Sequence, residues 1–212
     1  MKYIIMCGGT YTRFEKPKQL TEINGESLVA RTIRLLRENG VEDIAISSNN
    51  EVFEQFGVPV LHHDNPYVFR SGDKEVEGYW MDCFYPTDEP VCYVFGDVYF
   101  SPEAIRKIVS TPTDSVMLFG SKQPFASDYP KHYREPFAYK VQDQKRFRAA
   151  IQRTKELHKQ HAFSRHPIAW ELWKVIRGTP LSKGPKGYKV INDYTCDIDA
   201  PEDRNDYSNN TI

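Results

Sequence analysis

The chain has 212 residues, with 28 Lys and Arg against 29 Asp and Glu and a net charge of −1. This length is typical of one α/β domain that buries a sizeable core. No stretch has the length of a membrane span, the short apolar N-terminal run lacks the form of a signal peptide, and the four cysteines have neither metal-ligand nor disulfide spacing. We therefore expect a reduced, cytoplasmic protein without a membrane partner.

The predicted elements alternate between strands and helices. We predict strands at 2–7, 43–47, 59–62, 91–95, 115–119, 137–141 and 188–191, and helices at 28–39, 74–84, 102–109, 146–160 and 168–177. Ser27 and Ser101 are the expected N-caps of two helices, and Pro102 takes a first helical position. The alternation predicts a three-layer α/β/α sandwich with a mostly parallel, mixed central sheet, interrupted after residue 120 by a small insertion.

The charge is distributed unevenly along the chain. Residues 121–189 contain 16 Lys and Arg against five Asp and Glu, whereas the rest of the chain has a net charge of −12. A basic segment on an acidic body indicates a phosphorylated or nucleic-acid ligand, although a solvated charged face has the same composition.

A glycine-rich stretch follows the first predicted strand. It reads CGGTYTR at residues 7–13, and PKQL follows at residues 17–20. Ligands bind beyond the carboxyl ends of parallel strands, where glycines let backbone N–H groups approach a phosphate. Arg13 and Lys18 would supply the countercharge. The spacing matches neither a dinucleotide fingerprint nor a Walker A loop, and taken alone the glycines are also consistent with a plain structural turn.

These two stretches resemble the signature of the nucleotidyltransferases, which pair a G-G-x-G-T-R-type loop with P-K-x-L. The resemblance extends to VFGDV at 94–98 and CDIDAPED at 196–203, and it is least clear over residues 120–190. It implies the Rossmann-like nucleotidyltransferase fold, as in the small bacterial enzymes that load phosphocholine or sugar phosphates onto a nucleotide. Tyr11 stands where that family usually has Gly or Ser, so its ring must point away from the nucleotide or stack on something. The implied nucleotide-binding residues are Cys7, Gly8, Gly9, Thr10, Arg13, Lys18, Gly72, Asp73 and Asp97.

Two acidic positions are candidate Mg²⁺ ligands. Asp97 lies beyond a predicted strand and a glycine, where a carboxylate can hold Mg²⁺ over a phosphate, although an Asp in a plain turn is common. In an extended segment Asp197 and Asp199 point to the same side and Ile198 points to the other. The resemblance places the second ligand at Asp199, with Asp197 as the fallback and helix capping as the alternative.

The resemblance implies a reaction as well as a site. A nucleoside monophosphate would pass from an NTP, with CTP as a guess, to a phosphorylated small molecule such as a sugar phosphate or phosphocholine, and pyrophosphate would be released. The implied catalytic residues are Arg13, Lys18, Asp97 and Asp199, which act through positioning and charge neutralisation.

The acceptor site is expected in the basic region. Arg134, Lys140 and Trp170 are the candidate residues, although two tryptophans three apart, Trp170 and Trp173, more often lie in a core. We expect a single domain over 1–212, with a nucleotide-binding half (1–120), a basic acceptor-binding region (121–190) and a second metal-binding segment (191–205).

Two other functions remain open. One is a glycosyltransferase of the same nucleotide-binding architecture, but the Asp-x-Asp motif expected after a central strand is missing because Val98 and Tyr99 follow Asp97. The other is a non-catalytic protein that binds nucleotides or nucleic acids. Nothing in the sequence resembles a nucleic-acid-binding module, so we expect no nucleic-acid partner, and a homodimer is an option that the sequence leaves open.

Overall fold

The central element of the fold is a seven-stranded mixed sheet. The computed structural model describes residues 1–8, 10–11, 14–63, 67–69, 78–122 and 134–203. The strands of the sheet are β1 (Lys2–Met6), β2 (Ile44–Ser47), β3 (Val60–Leu61), β4 (Val91–Phe95), β5 (Val116–Ser121), β6 (Pro136–Val141) and β7 (Lys189–Ile191). Their order across the sheet is β7-β5-β6-β4-β1-β2-β3. Only β6 runs antiparallel to its neighbours, which confirms the predicted mostly parallel, mixed sheet.

Helices cover this sheet. They are α1 (Leu28–Glu38), α2 (Pro102–Ser110), α3 (Gln144–Lys159) and α4 (Ala169–Arg177). Helix α1 packs on α2 and α3 packs on α4. Every residue of β2 and of β4 is buried, so both faces of the sheet are covered, as in the expected α/β/α sandwich.

The predicted helix starts are confirmed. The Ser27 hydroxyl accepts a hydrogen bond from the Ala30 N–H, and the Ser101 hydroxyl accepts one from the Ala104 N–H. Each bond satisfies a donor that the first helical turn leaves without an intrahelical partner.

The prediction of a helix at 74–84 is wrong over residues 78–84, the part of it that the structure describes. Residues 74–77 lie outside the described part, and Trp80–Cys83 form a single 3₁₀ turn. Trp80 and Phe84 are in edge-to-face contact, with ring centroids 5.2 Å apart. Tertiary packing of these large side chains therefore outweighs the local helical preference.

Strand β6 enters the sheet at a tightly packed point. The Ser121 N–H donates to the Glu135 carbonyl at 2.8 Å, and the Glu135 N–H donates to the Ser121 hydroxyl at 2.8 Å. A Cβ on Gly120 would lie 2.6 Å from the Glu135 carbonyl oxygen and 2.8 Å from the Trp170 ring. Only glycine fits at position 120. The close contact of its backbone with the Glu135 carbonyl and the Trp170 ring helps to fix the positions of both residues.

Among the residues that the structure describes, no helix has both the length and the apolar character needed to cross a membrane.

Candidate active site

A buried lysine lies between two aspartates that are distant in the sequence. The Lys18 ammonium is 2.6 Å from the carboxylate of Asp97 and 3.5 Å from that of Asp199. The Lys18 side chain is only 2% exposed, whereas those of Asp97 and Asp199 are 19% and 41% exposed. Desolvation penalises the charge of a lysine this deeply buried, and the two carboxylates compensate that penalty. The structure thus brings together three of the four residues predicted to be catalytic.

Asp97 is positioned by close contact between β4 and β1. The Gly96 N–H donates to the Met6 carbonyl at 3.1 Å. A Cβ on Gly96 would lie 2.6 Å from that oxygen and 2.8 Å from the Cys7 sulfur, so the site requires glycine. Burial, and secondly the Asp97 charge, raise the pKa of the Cys7 thiol well above its ordinary value. Cys7 is therefore a neutral packing residue beside the carboxylate.

Asp199 is brought to the same place by a two-stranded pairing. Cys196–Asp197 pairs with Val98–Tyr99, and the Ile198 N–H donates to the Asp97 carbonyl at 2.8 Å. Ile198 is fully buried, whereas Asp197 and Asp199 both line the pocket, which is the predicted alternation.

The capping role predicted as the alternative belongs to Asp203. Its carboxylate accepts hydrogen bonds from the Asp199 and Ala200 N–H groups at 2.8 and 3.0 Å. The Asp199 carboxylate is directed instead to Lys18.

A third carboxylate, which the sequence analysis missed, joins the two C-terminal aspartates. One oxygen from each of Glu135, Asp197 and Asp199 lies within 4.8 Å of the others. Carboxylate oxygens are the hard donors that Mg²⁺ prefers, and the Lys18 ammonium already places one positive charge between Asp97 and Asp199. The residues present therefore fit a divalent cation.

These groups open into one pocket. Its volume is about 460 Å³, which is in the range of small-molecule sites. Lys18, Asp97, Asp197 and Asp199 line it together with Glu135 and the first residues of α4.

Arg134 and Trp170, two of the predicted acceptor residues, both line this pocket. The Trp170 indole N–H donates to the Arg134 carbonyl at 3.1 Å, so each helps to place the other. Trp173 is fully buried, and its indole N–H donates to the Lys186 carbonyl at 2.9 Å. Trp173 thus belongs to the core, and Trp170 is both core and pocket lining.

Lys140, the third predicted acceptor residue, lies elsewhere. Its ammonium donates to the carbonyls of Ile108, Val109 and Thr111 at 2.8 to 3.0 Å and so satisfies the C-terminal end of α2. Because β6 is antiparallel, Lys140 pairs with Cys92 near the start of β4, whereas Asp97 lies beyond its end. The expected contact between Lys140 and an acceptor phosphate is therefore corrected to a structural role.

The glycine-rich stretch is described only in part. Gly9, Arg13, Gly72 and Asp73 lie outside the described residues. The Cys7 N–H donates to the Ser47 carbonyl at 2.9 Å, and the Ser48 hydroxyl donates to the Cys7 carbonyl at 3.2 Å. The backbone of Thr10–Tyr11 pairs with that of Val68–Phe69. This pairing joins the glycine-rich stretch to Val68–Phe69, which precede the predicted nucleotide-binding residues Gly72 and Asp73 in the sequence.

Three further charged residues line the pocket and were not singled out from the sequence. They are Arg165, Glu171 and Lys174. The Arg165 guanidinium donates to the Glu171 carboxylate at 3.1 to 3.3 Å. The sequence placed them in the basic region expected to bind the acceptor, and Glu171 and Lys174 on its predicted helix at 168–177, but it did not identify them individually.

Comparisons with known proteins agree with this architecture. Residues 3–167 match the family described as the MobA-like NTP transferase domain. The chain is similar in structure to HddC from Yersinia pseudotuberculosis, solved with GMP-PN, with a TM-score of 0.56, 17% identity and coverage of 98% of this chain and 97% of that chain. It is also similar to the inositol-1-phosphate CTP transferase from T. maritima, with a TM-score of 0.58, 16% identity and coverage of 95% and 90%.

A third solved structure has a similar fold. It is the CTP:phosphocholine cytidylyltransferase LicC from Streptococcus pneumoniae, with a TM-score of 0.51, 13% identity and coverage of 98% of this chain and 97% of that chain. At these identities the three structures establish the shared fold.

Proposed function

This chain belongs to the family of MobA-like NTP transferase domains, and from that premise we propose that it transfers a nucleoside monophosphate from an NTP to a phosphorylated small molecule. Pyrophosphate is the second product, and Mg²⁺ is the proposed metal. CTP is the first NTP to test, because two of the structurally similar enzymes are named for their use of CTP.

The convergence of Lys18, Asp97 and Asp199 supports this proposal most directly. The distances of 2.6 and 3.5 Å place one buried ammonium and two carboxylates at one point of a pocket that Glu135 and Arg134 also line. Phosphoryl transfer consists mainly of positioning and charge neutralisation, and this arrangement provides both.

Asp97 and Asp199 are the proposed metal ligands, with Asp197 and Glu135 close enough to contribute. Mg²⁺ bound there would neutralise charge on the triphosphate and orient its α-phosphate. Lys18, on a flexible four-carbon stem, would donate hydrogen bonds to the phosphate oxygens once the triphosphate enters.

In the proposed reaction, an oxygen of the acceptor phosphate attacks the α-phosphorus of the NTP. The new P–O bond forms as the bond from the α-phosphorus to the α–β bridging oxygen breaks, and the electron pair leaves with pyrophosphate. The acceptor phosphate is already ionised at neutral pH, so the step requires no general base. Lys18, and Arg13 by resemblance, would stabilise the charge that develops on the leaving group.

The test is pyrophosphate release with Mg²⁺, in which four NTPs are screened against a panel of phosphorylated sugars, polyols and amino alcohols. Release that requires both one NTP and one acceptor is expected. If no combination yields pyrophosphate and no NTP binds, the proposal is wrong. The Asp97→Asn variant is the matched negative control.

A further inference from the structure

The charged groups of the pocket are unequally paired. Five carboxylates line it together with four cations, which are Lys18, Arg134, Arg165 and Lys174. Lys18 pairs with two aspartates, and Arg165 pairs with Glu171. Among the described residues, no carboxylate forms an ion pair with Arg134 or Lys174. These are the two pocket cations whose charge a bound anion would compensate.

The Arg134 guanidinium is held in place by its surroundings. Burial raises the pKa of Tyr188 and the nearby Arg134 charge opposes that rise, which places the guanidinium beside the Tyr188 hydroxyl. Tyr188 donates to the Ser121 carbonyl at 3.1 Å, and its ring centroid is 5.0 Å from that of Trp170. A Cβ on Gly184 would lie 3.4 Å from Nη1 of Arg134. The cation is therefore positioned before any ligand binds.

Arg134 also offers a hydrogen bond to a ligand. Its Nε is buried and has no hydrogen-bond partner within the part of the chain that the structure describes. A buried donor without a partner carries a desolvation penalty, which a ligand oxygen would remove. Nε and the neighbouring Nη form one edge of a planar fork, and that edge matches two oxygens of one phosphate group.

Lys174 lies close to Arg134 in the pocket lining. It follows Trp170 by four residues on α4, so the two side chains share one helix face, and the Trp170 indole donates to the Arg134 carbonyl at 3.1 Å. The Lys174 ammonium donates to the Leu181 carbonyl at 3.0 Å. An ammonium has three donors, so two remain for a ligand. Lys174 is thus anchored at the pocket and still able to bind an anion.

The proposed reaction brings several anions together. The phosphate of the acceptor must approach a triphosphate, in a pocket that also contains the carboxylates proposed to bind the metal. Like charges repel, so the acceptor phosphate requires countercharge of its own. In the proposed function the metal ion and Lys18 serve the triphosphate, and Arg165 is already paired with Glu171. Arg134 and Lys174 remain to serve the acceptor.

We propose that Arg134 and Lys174 form an oxyanion-binding subsite that holds the phosphate group of the acceptor. This inference rests on the proposed nucleotidyl transfer and assigns two binding residues to it. Arg134 would bind two phosphate oxygens through its fork and leave a third oxygen to attack the α-phosphorus. Lys174 would supply the second positive charge, which matches the charge of a phosphate monoester dianion.

Steady-state kinetics of Arg134→Met and Lys174→Met test the subsite, with the NTP and acceptor that the screen identifies. Each substitution should raise the KM for the acceptor about tenfold and leave the KM for the NTP within about twofold of the wild-type value. If the KM for the NTP rises and that for the acceptor does not, these cations bind the triphosphate. The inference is then overturned while the proposed function stands.

Matched controls lie on α3, outside the pocket lining. Arg153→Met removes an arginine whose side chain is 52% exposed, and Lys159→Met removes an exposed lysine at the end of the helix. Both should keep the wild-type KM values. Circular dichroism checks the fold of every variant, and because Arg134 and Lys174 lie on different elements, each substitution tests the subsite independently of the other.

Binding of inorganic phosphate, followed by ³¹P NMR in the presence of Mg²⁺, tests the subsite without turnover. The dissociation constant should rise at least about fivefold in Arg134→Met and in Lys174→Met, and it should stay unchanged in both controls. Unchanged phosphate binding in both pocket variants would overturn the inference. Weakened phosphate binding in a protein that releases no pyrophosphate with any pair of substrates would establish an anion site and reject the proposed function.

Discussion

The Lys18 ammonium lies 2.6 Å from the Asp97 carboxylate, at the place where a metal-binding carboxylate would meet its cation. The Lys18 ammonium and the proposed divalent metal ion would therefore compete for the same carboxylate. Binding of a triphosphate would relieve the competition, because its oxygens give Lys18 a second set of partners. Metal binding and nucleotide binding should thus be coupled.

The Lys18→Met substitution should separate the competition of Lys18 with the metal from its proposed contribution to catalysis. Without the competing ammonium, the affinity of the NTP-free protein for Mg²⁺ or Mn²⁺ should rise about fivefold, while kcat should fall by about a hundredfold or more. Titration calorimetry and pyrophosphate release measure the two effects. The control is Lys155→Met, since Lys155 forms a partly buried pair with Asp82 outside the pocket lining. Weaker metal binding in Lys18→Met would show that Lys18 does not compete with the metal.

The acidic residues should differ in importance. Asp97→Asn and Asp199→Asn should each lower kcat by about a hundredfold or more, because removal of one charge from a metal or transition-state contact is worth several kcal/mol. Asp197→Asn should have a milder effect than Asp199→Asn. Asp88→Asn is the control, because Asp88 is 88% exposed and pairs with Arg148. The reverse order of Asp197 and Asp199 would make Asp197 the principal ligand.

The Glu135→Gln substitution should raise the Mg²⁺ concentration that the reaction requires without lowering the stability of the fold. Glu135→Gln keeps the shape of the side chain and both main-chain bonds to Ser121, but it removes one charge from the group formed with Asp197 and Asp199. We expect the Mg²⁺ concentration for half-maximal rate to rise about fivefold, with an unchanged melting temperature. An unaltered Mg²⁺ requirement would exclude Glu135 from the metal site.

A histidine cluster should make stability depend on pH. Burial, and next the facing ring of His158 with its centroid 4.7 Å away, lower the pKa of His166 below its ordinary value of 6.5. As the pH falls through 6.5, the unfolded chain therefore takes up this proton before the folded protein does. The free energy of unfolding should decrease over this window and level off below the folded-state pKa. Tyr79 also packs on His166.

Urea unfolding between pH 8 and pH 5 measures this effect. His166→Gln should remove part of the decrease, and His158→Gln should reduce it by removing the repulsion. His62→Gln, at a side chain that is 61% exposed, should keep the wild-type profile. An identical profile in His166→Gln would show that other groups cause the pH dependence.

Gly96→Ala should disturb the site from within the core. The new methyl group would meet the Met6 carbonyl at 2.6 Å and the Cys7 sulfur at 2.8 Å, so Asp97 must shift. Overpacking of this kind costs about 1 to 3 kcal/mol, and activity should fall together with the free energy of unfolding. Gly184→Ala, whose Cβ would meet nothing nearer than 3.4 Å, controls for the substitution itself. Wild-type stability in Gly96→Ala would contradict the tight packing.

The proposed nucleotide-binding side of the pocket was predictable because its residues follow strands of a mostly parallel sheet. Asp97 follows β4 after a single glycine, and Asp199 lies two residues beyond Asp197, on the same side of the extended segment. Periodicity and strand direction are enough to place such residues at one edge. The pairing of Lys18 with both aspartates, across 79 and 181 positions of sequence, is a tertiary contact that no local pattern contains.

The proposed acceptor-binding side was not predictable to the same extent, because β6 runs antiparallel to its neighbours. In an antiparallel strand the residues before the strand reach the ligand edge, which places Arg134 and Glu135 in the pocket and Lys140 away from it. The sequence identified residues 137–141 as a strand but contained no signal for its direction. Lys140 was therefore assigned from charge alone, and Glu135 was missed.

The direction of β6 also brings separate stretches of the chain to one pocket. Lys18 and Asp97 precede residue 122, Arg134 and Trp170 come from residues 134–174, and Asp199 follows near the C-terminus. Strand β6 joins β4 through main-chain pairs, such as Ala138 with Val94, which place few demands on side-chain identity. A chimera that exchanges residues 136–174 for those of a relative would keep Lys18, Asp97, Glu135 and Asp199. If the proposed function is right, such a chimera should take a different acceptor and keep its requirement for the same NTP.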